Sequence, residues 1–384
     1  MKHNWTNTRI GDFVQQSENI VEVKPDKTYS LLGMSLEGRG LFVREQKQGI
    51  EIGSKTLNKV IPGEFIYSRL FAWKGAFDFV RDDFEGTFVS DEYPTFIVDG
   101  EKVDLKFIHY YFNQSKTWKQ VEEYCIGVTK ASRNRFKEKF FLSLSIPIPP
   151  LPEQQRIVSK IENVKQRIEQ IKKLRAEQEK EIRNLKYSMY CDVEKEFQNV
   201  PLKELLSFSE NWEKPTAGTT YRQMGIRVWG EGGYERETIE GSQTQYPFFM
   251  KVETDDLVIN KIWVRNGALA VVPQELNDCF VSTEFPTFKY DHQVLNPKWI
   301  TFLIKQKKFW ELCAEKSFGT SGKNRIKPEE FLRVEIPLPP IEEQNKIVAL
   351  LDKLDSVKSN HTETEKELTQ LMPALLDKAF KGEL

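Results

Sequence analysis

"IPIPPLPEQQRIVSKI", residues 146–161, nearly repeats itself at residues 336–351 as "IPLPPIEEQNKIVALL", with eight of sixteen positions identical. Proline lacks an amide donor and favours extended geometry in the residue before it. Each string therefore predicts the end of a strand and a helix that begins near Glu153 or Glu343. A P-x-x-P peptide ligand is the alternative, but the position between strand and helix favours a stiff joint.

A second pair of matching segments extends the repeat along the whole chain. "EGTFVSDEYPTF" at 85–96 and "NDCFVSTEFPTF" at 277–288 agree at seven of twelve positions, with an offset of 192 residues. Extending this match without gaps aligns Gly75 with Gly267. A period of roughly 190 residues is too long for a solenoid. It indicates a tandem duplication, for which we expect pseudo-two-fold symmetry.

Each copy has a globular part followed by a helical part. The globular part carries short strand-like runs, separated by turn residues and mixed with helical patches, which is typical of an α+β domain. We therefore expect two α+β domains, separated by two long helices. The predicted segments are 1–145 (first globular domain), 146–197 (central joint and helix), 198–335 (second globular domain) and 336–384 (C-terminal joint and helix).

The helical parts carry apolar residues at alternating steps of three and four, the spacing of a coiled coil. Both seams are polar in the middle, at Arg175 and Gln178 and at His361 and Thr364. An amphipathic helix on its own domain is the alternative, but about 38 residues span ~57 Å, longer than a small domain is wide. We therefore expect the helices to pair as an antiparallel coiled coil. The predicted seam and partner-docking residues are Ile157, Ile161, Val164, Ile168, Ile171, Ile182, Leu185, Ile347, Leu351, Leu354, Leu368 and Leu371.

Three leucines lie off this seam, at Leu174, Leu350 and Leu376. On an isolated helix pair they would face outward, and burying apolar surface is favourable. The pattern therefore suggests that a partner protein covers the outer faces.

Composition and missing motifs argue against several functions. The chain has 384 residues, a net charge of −1, four cysteines and no apolar run of membrane-spanning length. Since no C-x-x-C pair is present, we predict a cytoplasmic protein without zinc, disulfides or membrane contact. The sequence has no phosphate loop, dinucleotide fingerprint or H-E-x-x-H motif. His109 aligns with Thr301, so no histidine site is duplicated. We predict no catalytic residue, no metal ligand and no cofactor bound by this chain.

Positive charge recurs shortly before each joint. Residues 127–139 hold five cations and one acid, and residues 316–327 hold four cations and no acid. Glycine, serine, threonine and asparagine beside these cations suit contacts to phosphates and base edges; a solvated loop is the alternative. A second basic set follows the tyrosine and glycine that both copies share. The predicted DNA-contacting residues are Arg39, Arg44, Arg69, Lys130, Arg133, Asn134, Arg135, Arg222, Arg227, Lys261, Lys323, Asn324 and Arg325.

The doubled I-P-x-P-P-x-x-E-Q-x-x-I-V string, the opening "TRIGDFV" and the ending "LLDKAFKGEL" resemble type I restriction–modification specificity (S) subunits over essentially the whole chain. The resemblance implies that each globular domain is a target recognition domain, which reads one half of a split, asymmetric site in double-stranded DNA. It implies that the helices span the unread gap and dock methyltransferase (M) subunits, two in number, which methylate adenine with S-adenosylmethionine. Restriction (R) subunits would add ATP- and Mg-dependent cleavage. This chain would be the non-catalytic specificity subunit.

The residues that carry the resemblance are those of the joints, and they support architecture and docking. Base-reading residues do not carry over, because they differ between members of that family. A tandem-repeat scaffold for protein or RNA ligands is the alternative, and an adjacent reading frame with an N-P-P-[FYW] motif would favour the specificity subunit. The matching positions are Pro149, Pro150, Glu153, Gln154, Ile157 and Val158, and Pro339, Pro340, Glu343, Gln344, Ile347 and Val348.

Overall fold

The computed structural model describes residues 5–125, 135–319 and 324–384. The chain folds as two compact units, Met1–Lys173 with Glu363–Leu384, and Leu174–Thr362. Each unit combines one globular head with a segment of each long helix, whereas the sequence pattern suggests four successive segments. The physical reason is that apolar residues of both helices are buried in the cores of the heads.

Head 1 is the globular part of the first unit. Its strands are β1 Thr6–Arg9, β2 Val14–Ser17, β3 Ile20–Glu22, β4 Thr28–Ser35, β5 Gly40–Gln48, β6 Thr56–Lys59, β7 Phe65–Tyr67, β8 Phe77–Phe79, β9 Phe88–Val89, β10 Thr95–Val98 and β11 Ser145–Ile148. Its helices are α1 Leu105–Phe112, α2 Ser115–Glu123 and α3 Glu138–Ser143.

Two sheets form the framework of head 1. The four-stranded sheet has the order β2-β10-β7-β8, with antiparallel pairs. The five-stranded sheet has the order β3-β6-β9-β4-β5, in which β9 and β4 run parallel. Strand β1 pairs with β11, which ties the start of the head to the strand that enters the joint. Buried aromatic rings such as Phe65, Phe77 and Phe96 fill the core.

Head 2 is the globular part of the second unit and follows the long helix α4, Leu151–Glu196. Its strands are β12 Asn199–Pro201, β13 Leu206–Phe208, β14 Trp212–Glu213, β15 Thr220–Arg227, β16 Gly232–Glu240, β17 Phe249–Lys251, β18 Leu257–Ile259, β19 Leu269–Val271, β20 Phe280–Ser282, β21 Thr287–Tyr290, β22 Ser317–Phe318, β23 Arg325–Ile326 and β24 Glu335–Pro337. Its helices are α5 Pro297–Ile304, α6 Lys307–Glu315 and α7 Pro328–Phe331, and the chain ends with helix α8, Ile341–Phe380.

The sheets of head 2 repeat those of head 1 strand for strand. Their orders are β13-β21-β18-β19 and β14-β17-β20-β15-β16. The registers agree as well, since Ile20 faces Asn58 in head 1 and Trp212 faces Met250, 192 residues further on, in head 2. The predicted α+β fold class and the duplication are therefore confirmed.

A buried glutamine explains why both joints contain Glu-Gln. Gln154 is fully buried. Its Nε2 donates to the carbonyl oxygens of Pro149 at 2.8 Å and Lys102 at 3.1 Å, and its Oε1 accepts from the backbone N of Asp104 at 2.8 Å. Asp104 is the N-cap of α1. One side chain therefore fastens the start of α4, the joint and the start of α1 to one another.

The second joint repeats this fastening. Gln344 is also fully buried. It donates to the carbonyl oxygens of Pro339 at 2.8 Å and Val294 at 2.9 Å, and it accepts from the backbone N of Asn296, the N-cap of α5, at 2.9 Å. The joint thus fixes the angle at which each long helix leaves its head.

In the first unit, the beginning of α4 lies beside the end of α8. Arg156 donates to the carbonyl oxygen of Leu384 at 2.9 Å. Ile157 and Ile161 of α4 share the core of head 1 with Leu376 and Ala379 of α8. These two helix segments are therefore antiparallel. Leu376, which the sequence pattern leaves on the outer face, is buried here.

In the second unit, the end of α4 lies beside the beginning of α8. Tyr190 and Val193 share the core of head 2 with Val348 and Leu351. Lys186 pairs with Asp355 at 2.5 Å. These segments are antiparallel too, and α4 is longer than the sequence pattern suggests, at 46 residues, because its polar last turns still contribute core side chains.

The structure differs from the predicted seam at three positions. Leu185 is 50% exposed, Leu371 is 45% exposed and Ile171 is 39% exposed. Near Leu185 the neighbouring Lys186 is the more buried residue and reaches Asp355. The seam steps by four residues where the sequence pattern predicts three, a local departure from the heptad. The other predicted seam residues are buried or partly buried, namely Ile157, Ile161, Val164, Ile168, Ile182, Ile347, Leu351, Leu354 and Leu368.

Two further features are the hydrophobicity of the helices and the state of the cysteines. Within the described ranges, no helix is long and apolar enough to cross a membrane. Cys125, Cys191, Cys279 and Cys313 are all free thiols.

Candidate nucleic-acid interface

In head 1, a short loop between β9 and β10 collects two predicted DNA-contacting cations. We call residues 90–94 loop 1. The backbone N of Arg69 donates to the carbonyl oxygen of Glu92 at 2.9 Å, and its guanidinium contacts the carbonyl oxygen of Asp91. Arg135 donates to the Glu92 carboxylate, with Nε at 3.3 Å from Oε2. Residues far apart in sequence therefore meet on loop 1.

Head 2 repeats this arrangement at residues 282–286, which we call loop 2. Lys261 Nζ donates to the carbonyl oxygen of Thr283 at 2.6 Å, and the backbone N of Lys261 donates to the carbonyl oxygen of Glu284 at 3.2 Å. Arg325 pairs with the Glu284 carboxylate at 3.4 Å. Each head thus holds two cations at the equivalent loop, and each arginine before the joint is oriented by a glutamate.

The two cations of each loop differ in accessibility. The side chain of Arg69 is 24% exposed and is also paired with Glu138 at the start of α3. The side chains of Arg135 and Arg325 are about half exposed. A partly exposed ion pair contributes little net free energy, so these guanidinium groups can exchange their carboxylates for a phosphate or a base edge at small cost. Arg69 fastens loop 1 to α3.

Arg44 lies beside loop 1. It lines a shallow cavity together with Ser90 and Tyr93 of that loop. Burial raises the pKa of Tyr93, and the positive charge of Arg44 acts in the opposite direction. Arg44 Nε donates to Glu45 at 2.9 Å. Hydrogen bonds from Lys47 and then from Arg44 lower the pKa of the Glu45 carboxyl, so this edge is ionised and polar.

The structure does not bring the remaining described cations to these loops. Arg39 lies in the turn between β4 and β5 and pairs with a neighbouring glutamate at 3.6 Å. Arg227 lies at the end of β15 over the ring of Tyr234, 4.4 Å from its centroid. Arg222 pairs with Glu235 at 2.7 Å, and this hydrogen bond raises the pKa of Arg222.

The loops that contain the densest charge are only partly described. Asn324 and Arg325 lie at the start of β23, where Arg325 faces Phe318 of β22. Four further predictions lie outside the described residues, namely Lys130, Arg133, Asn134 and Lys323.

Sequence reasoning missed a surface groove of head 1, which we call the edge groove. It lies where the edge strands β2 and β3 of the two sheets meet, and it reaches loop 1 through Asp91. Its lining comes from strands that are far apart in sequence, so no local cluster marks it. The only signal was that several lining positions differ between the two copies. The lining includes Gln16, Glu18, Ile20, Thr56, Asn58 and Arg69.

Among the described residues, no group of three histidine, cysteine, aspartate or glutamate side chains is placed to hold a metal ion. His109 is buried beside Asp78, 3.3 Å from Nδ1 to Oδ1, and its Nε2 is 2.9 Å from Asn113 Nδ2. Burial lowers the pKa of His109 to about 4, against the opposing charge of Asp78. His109 is therefore a buried residue of head 1 and has no second copy in head 2, where Thr301 takes its place.

Comparison with known proteins agrees with this geometry. The family model described as "Type I restriction modification DNA specificity domain" matches residues 2–180 and again residues 194–370. The fold is similar to that of the HsdS subunit from Thermoanaerobacter tengcongensis, with 20% identity, complete coverage of both chains and a TM-score of 0.64. It is also similar to a chain from work on the "structural basis underlying complex assembly and conformational transition of the type I R-M system", with 21% identity, 99% and 98% coverage and a TM-score of 0.67.

No curated protein matches the sequence. Identities near 20% establish the fold alone, but the family model covers both copies and most of the chain. The two matches fall on the two repeats, each of which contains a head with its cation-bearing loop. The resemblance drawn from the joint strings is confirmed: the chain belongs to the type I restriction–modification DNA specificity family, as a specificity subunit with two specificity domains in tandem.

Proposed function

We propose that each head reads one half of a bipartite, asymmetric DNA site, and that α4 and α8 set the unread gap between the halves. This proposal rests on one observation: the two heads are duplicates in backbone structure but differ in exposed side chains. The two heads share strand order, register and two cations on the equivalent loop, while several side chains of the edge groove of head 1 differ from their counterparts in head 2. Phosphate contacts position a protein and base contacts specify the sequence. A shared frame with different contact residues suits two different half-sites.

The partners of the proposed complex supply its chemistry. Two methyltransferase subunits dock on the long helices and methylate an adenine in each half-site with S-adenosylmethionine. Restriction subunits bind the same complex and use ATP and Mg for cleavage, and this chain contributes no catalytic residue. The outward-facing Leu174 and Leu350, which are 63% and 51% exposed, support the docking of a protein on the helices.

Methylome sequencing tests the proposal directly. Cells that express this chain with its cognate methyltransferase subunits should carry methylated adenines in one bipartite motif, with two specified blocks and a fixed unspecified gap. Cells with the methyltransferase subunits alone should lack that motif. A continuous motif, or methylation that does not depend on this chain, would contradict the proposed function.

Arg325 offers a sharper test of the loop 2 interface. We expect Arg325→Ala to weaken binding of the complex to its cognate duplex by about 1–3 kcal/mol, or 5- to 150-fold, because a positioned arginine contact is lost. Titration of a labelled duplex at several salt concentrations measures this. Arg333→Ala is the matched control, because Arg333 is similarly exposed and also pairs with a glutamate, Glu330, but away from loop 2. If the Arg325 variant and the control bind the duplex with equal affinity at every salt concentration, Arg325 does not contact the DNA.

A further inference from the structure

The positions of head 2 that correspond to the edge groove of head 1 carry side chains of a different chemical character. Because strand order and register coincide, the equivalent positions in head 2 lie 192 residues further along the chain. One of the two acids is kept, as Glu18 and Glu210, and a cation is kept, as Arg69 and Lys261. Six other positions change: three become the exposed aromatic residues Phe208, Trp212 and Phe248, in place of Gln16, Ile20 and Thr56, and the others change from Leu57, Asn58 and Asp91 to Phe249, Met250 and Thr283.

The three rings of head 2 are held at the surface. Phe208, Trp212 and Phe248 are 46%, 51% and 47% exposed. The ring of Phe208 packs against the buried ring of Phe288, and the two ring centroids are 5.2 Å apart. Trp212 lies on the edge strand β14, where it faces Met250 in the ladder. Exposed apolar patches of this kind mark contact sites. Phe208 and Trp212 lie on strands β13 and β14, and Phe248 directly precedes strand β17.

The divergence of the groove indicates what it contacts. Two identical ligands would favour the same lining at the equivalent positions of both heads. The equivalent positions of the two heads keep their strand frame, one acid and one cation, but head 2 carries aromatic side chains where head 1 has Gln16, Ile20 and Thr56. Two heads bound to two different half-sites meet different ligands, whereas two copies of one methyltransferase subunit are identical ligands. The groove therefore fits DNA better than a repeated protein partner.

The side chains suit two ways of reading bases in the major groove. Glutamine and asparagine pair with adenine edges, and glutamate accepts from the cytosine amino group. Head 1 offers such groups at Gln16, Asn58 and Glu18. Aromatic rings make apolar contact with the methyl group of thymine, and head 2 offers Phe208, Trp212 and Phe248.

We infer that the two heads read by different chemistry: head 2 recognises thymine methyl groups through its exposed aromatic rings, and head 1 recognises base edges through hydrogen bonds. This inference rests on the proposed function of the heads. It assigns Trp212 and Phe248 as specificity-determining residues of head 2. Lys261 at the end of the groove is left to contact the backbone phosphates.

Replacing thymine by uracil tests the inference, because it removes only the methyl group. Each half-site that carries a methylatable adenine has at least one thymine, on the opposite strand. The complex of this chain with its methyltransferase subunits is titrated with duplexes of the motif that carry uracil in one half or in the other. We expect affinity to fall by about fourfold per contacted methyl group in one half only. In a complex with Trp212→Ala and Phe248→Ala, the uracil and thymine duplexes should bind equally.

Two further variants keep the test decisive. Trp212→Gln with Phe248→Ser should also abolish the uracil effect, and these polar side chains suit positions that are exposed in the folded head. Trp229→Ala, a change of another exposed tryptophan of head 2 outside the groove, should retain it. No uracil effect in either half would overturn the inference. So would loss of methyltransferase association by the groove variants, which would make the groove a protein-docking surface. If the complex bound all duplexes without sequence preference, the proposed function itself would be contradicted.

Discussion

A heptad inserted into both long helices should lengthen the unread gap of the methylated motif by about three base pairs. Seven residues add ~10 Å to a helix at 1.5 Å per residue, and base pairs rise by ~3.4 Å. The insertions are placed between Lys173 and Leu174 and between Thr362 and Glu363, where the two units divide. On the original motif the two heads can no longer bind together, so the avidity gain of about 100- to 10,000-fold is lost. Methylome sequencing reads the new gap.

The DNA helix adds a second requirement to this prediction. Three extra base pairs also rotate one half-site around the duplex axis, so the variant with one heptad should methylate its new motif weakly. Three heptads add ~31 Å, close to one DNA turn of 34–36 Å, and should restore efficient methylation with a gap longer by about nine base pairs. A heptad in α4 alone is the control, because it breaks the antiparallel register and should prevent assembly. A folded, active complex with an unchanged gap would disprove the spacer role.

Gln154→Leu should destabilise the first unit by roughly 3 kcal/mol or more. The leucine matches the size of glutamine but leaves the carbonyl oxygens of Pro149 and Lys102 and the backbone N of Asp104 without their hydrogen bonds. The bond to Pro149 is buried and the other two are partly buried, so we take about 1 kcal/mol, the lower end of the cost of an unpaired buried group, for each of the three. Denaturant unfolding measures the loss of unfolding free energy. Hydrogen exchange of α1 and of the first turns of α4 shows whether the loss is local to the joint.

The neighbouring glutamine is the matched control. Gln155 is exposed, and Gln155→Leu should change the free energy of unfolding by less than about 0.5 kcal/mol. Gln344→Leu should reproduce the effect of Gln154→Leu in the second unit, since its three hydrogen bonds are equivalent. Equal stability of the Gln154 and Gln155 variants would show that the joint does not depend on this fastening.

Most of the architecture could be predicted from the sequence because it is written in local patterns and in their repetition. The joints predicted a strand followed by a helix, and the structure has β11 before α4 and β24 before α8. The seam was predicted well where both helices are apolar. The observed seam differs from the predicted one at Leu185. The partner helix decides whether the next buried residue lies three or four positions along, and here Lys186 pairs with Asp355 on that helix.

The candidate site was predictable only in part. Charge density singled out Arg135 and Arg325, but the glutamates that orient them lie 43 and 41 residues away. The same charge argument selected Arg39 and Arg227, which contact residues of their own β-hairpins and not the two loops. The edge groove was missed because its lining comes from β2, β3, β6 and loop 1, and no local spacing connects these segments.

The sequence by itself determined the duplication, the α+β heads, the two joints and the two helices, because each is encoded by residues close together in the chain. The tertiary structure alone decided which distant residues meet. It joined Gln154 to Asp104, placed Glu92 and Glu284 beside their arginines, and divided each long helix between two units. These outcomes depend on which strands become neighbours in a sheet and on which apolar faces are buried together. Such long-range pairings are set by the packing of the whole unit, not by any one stretch of sequence.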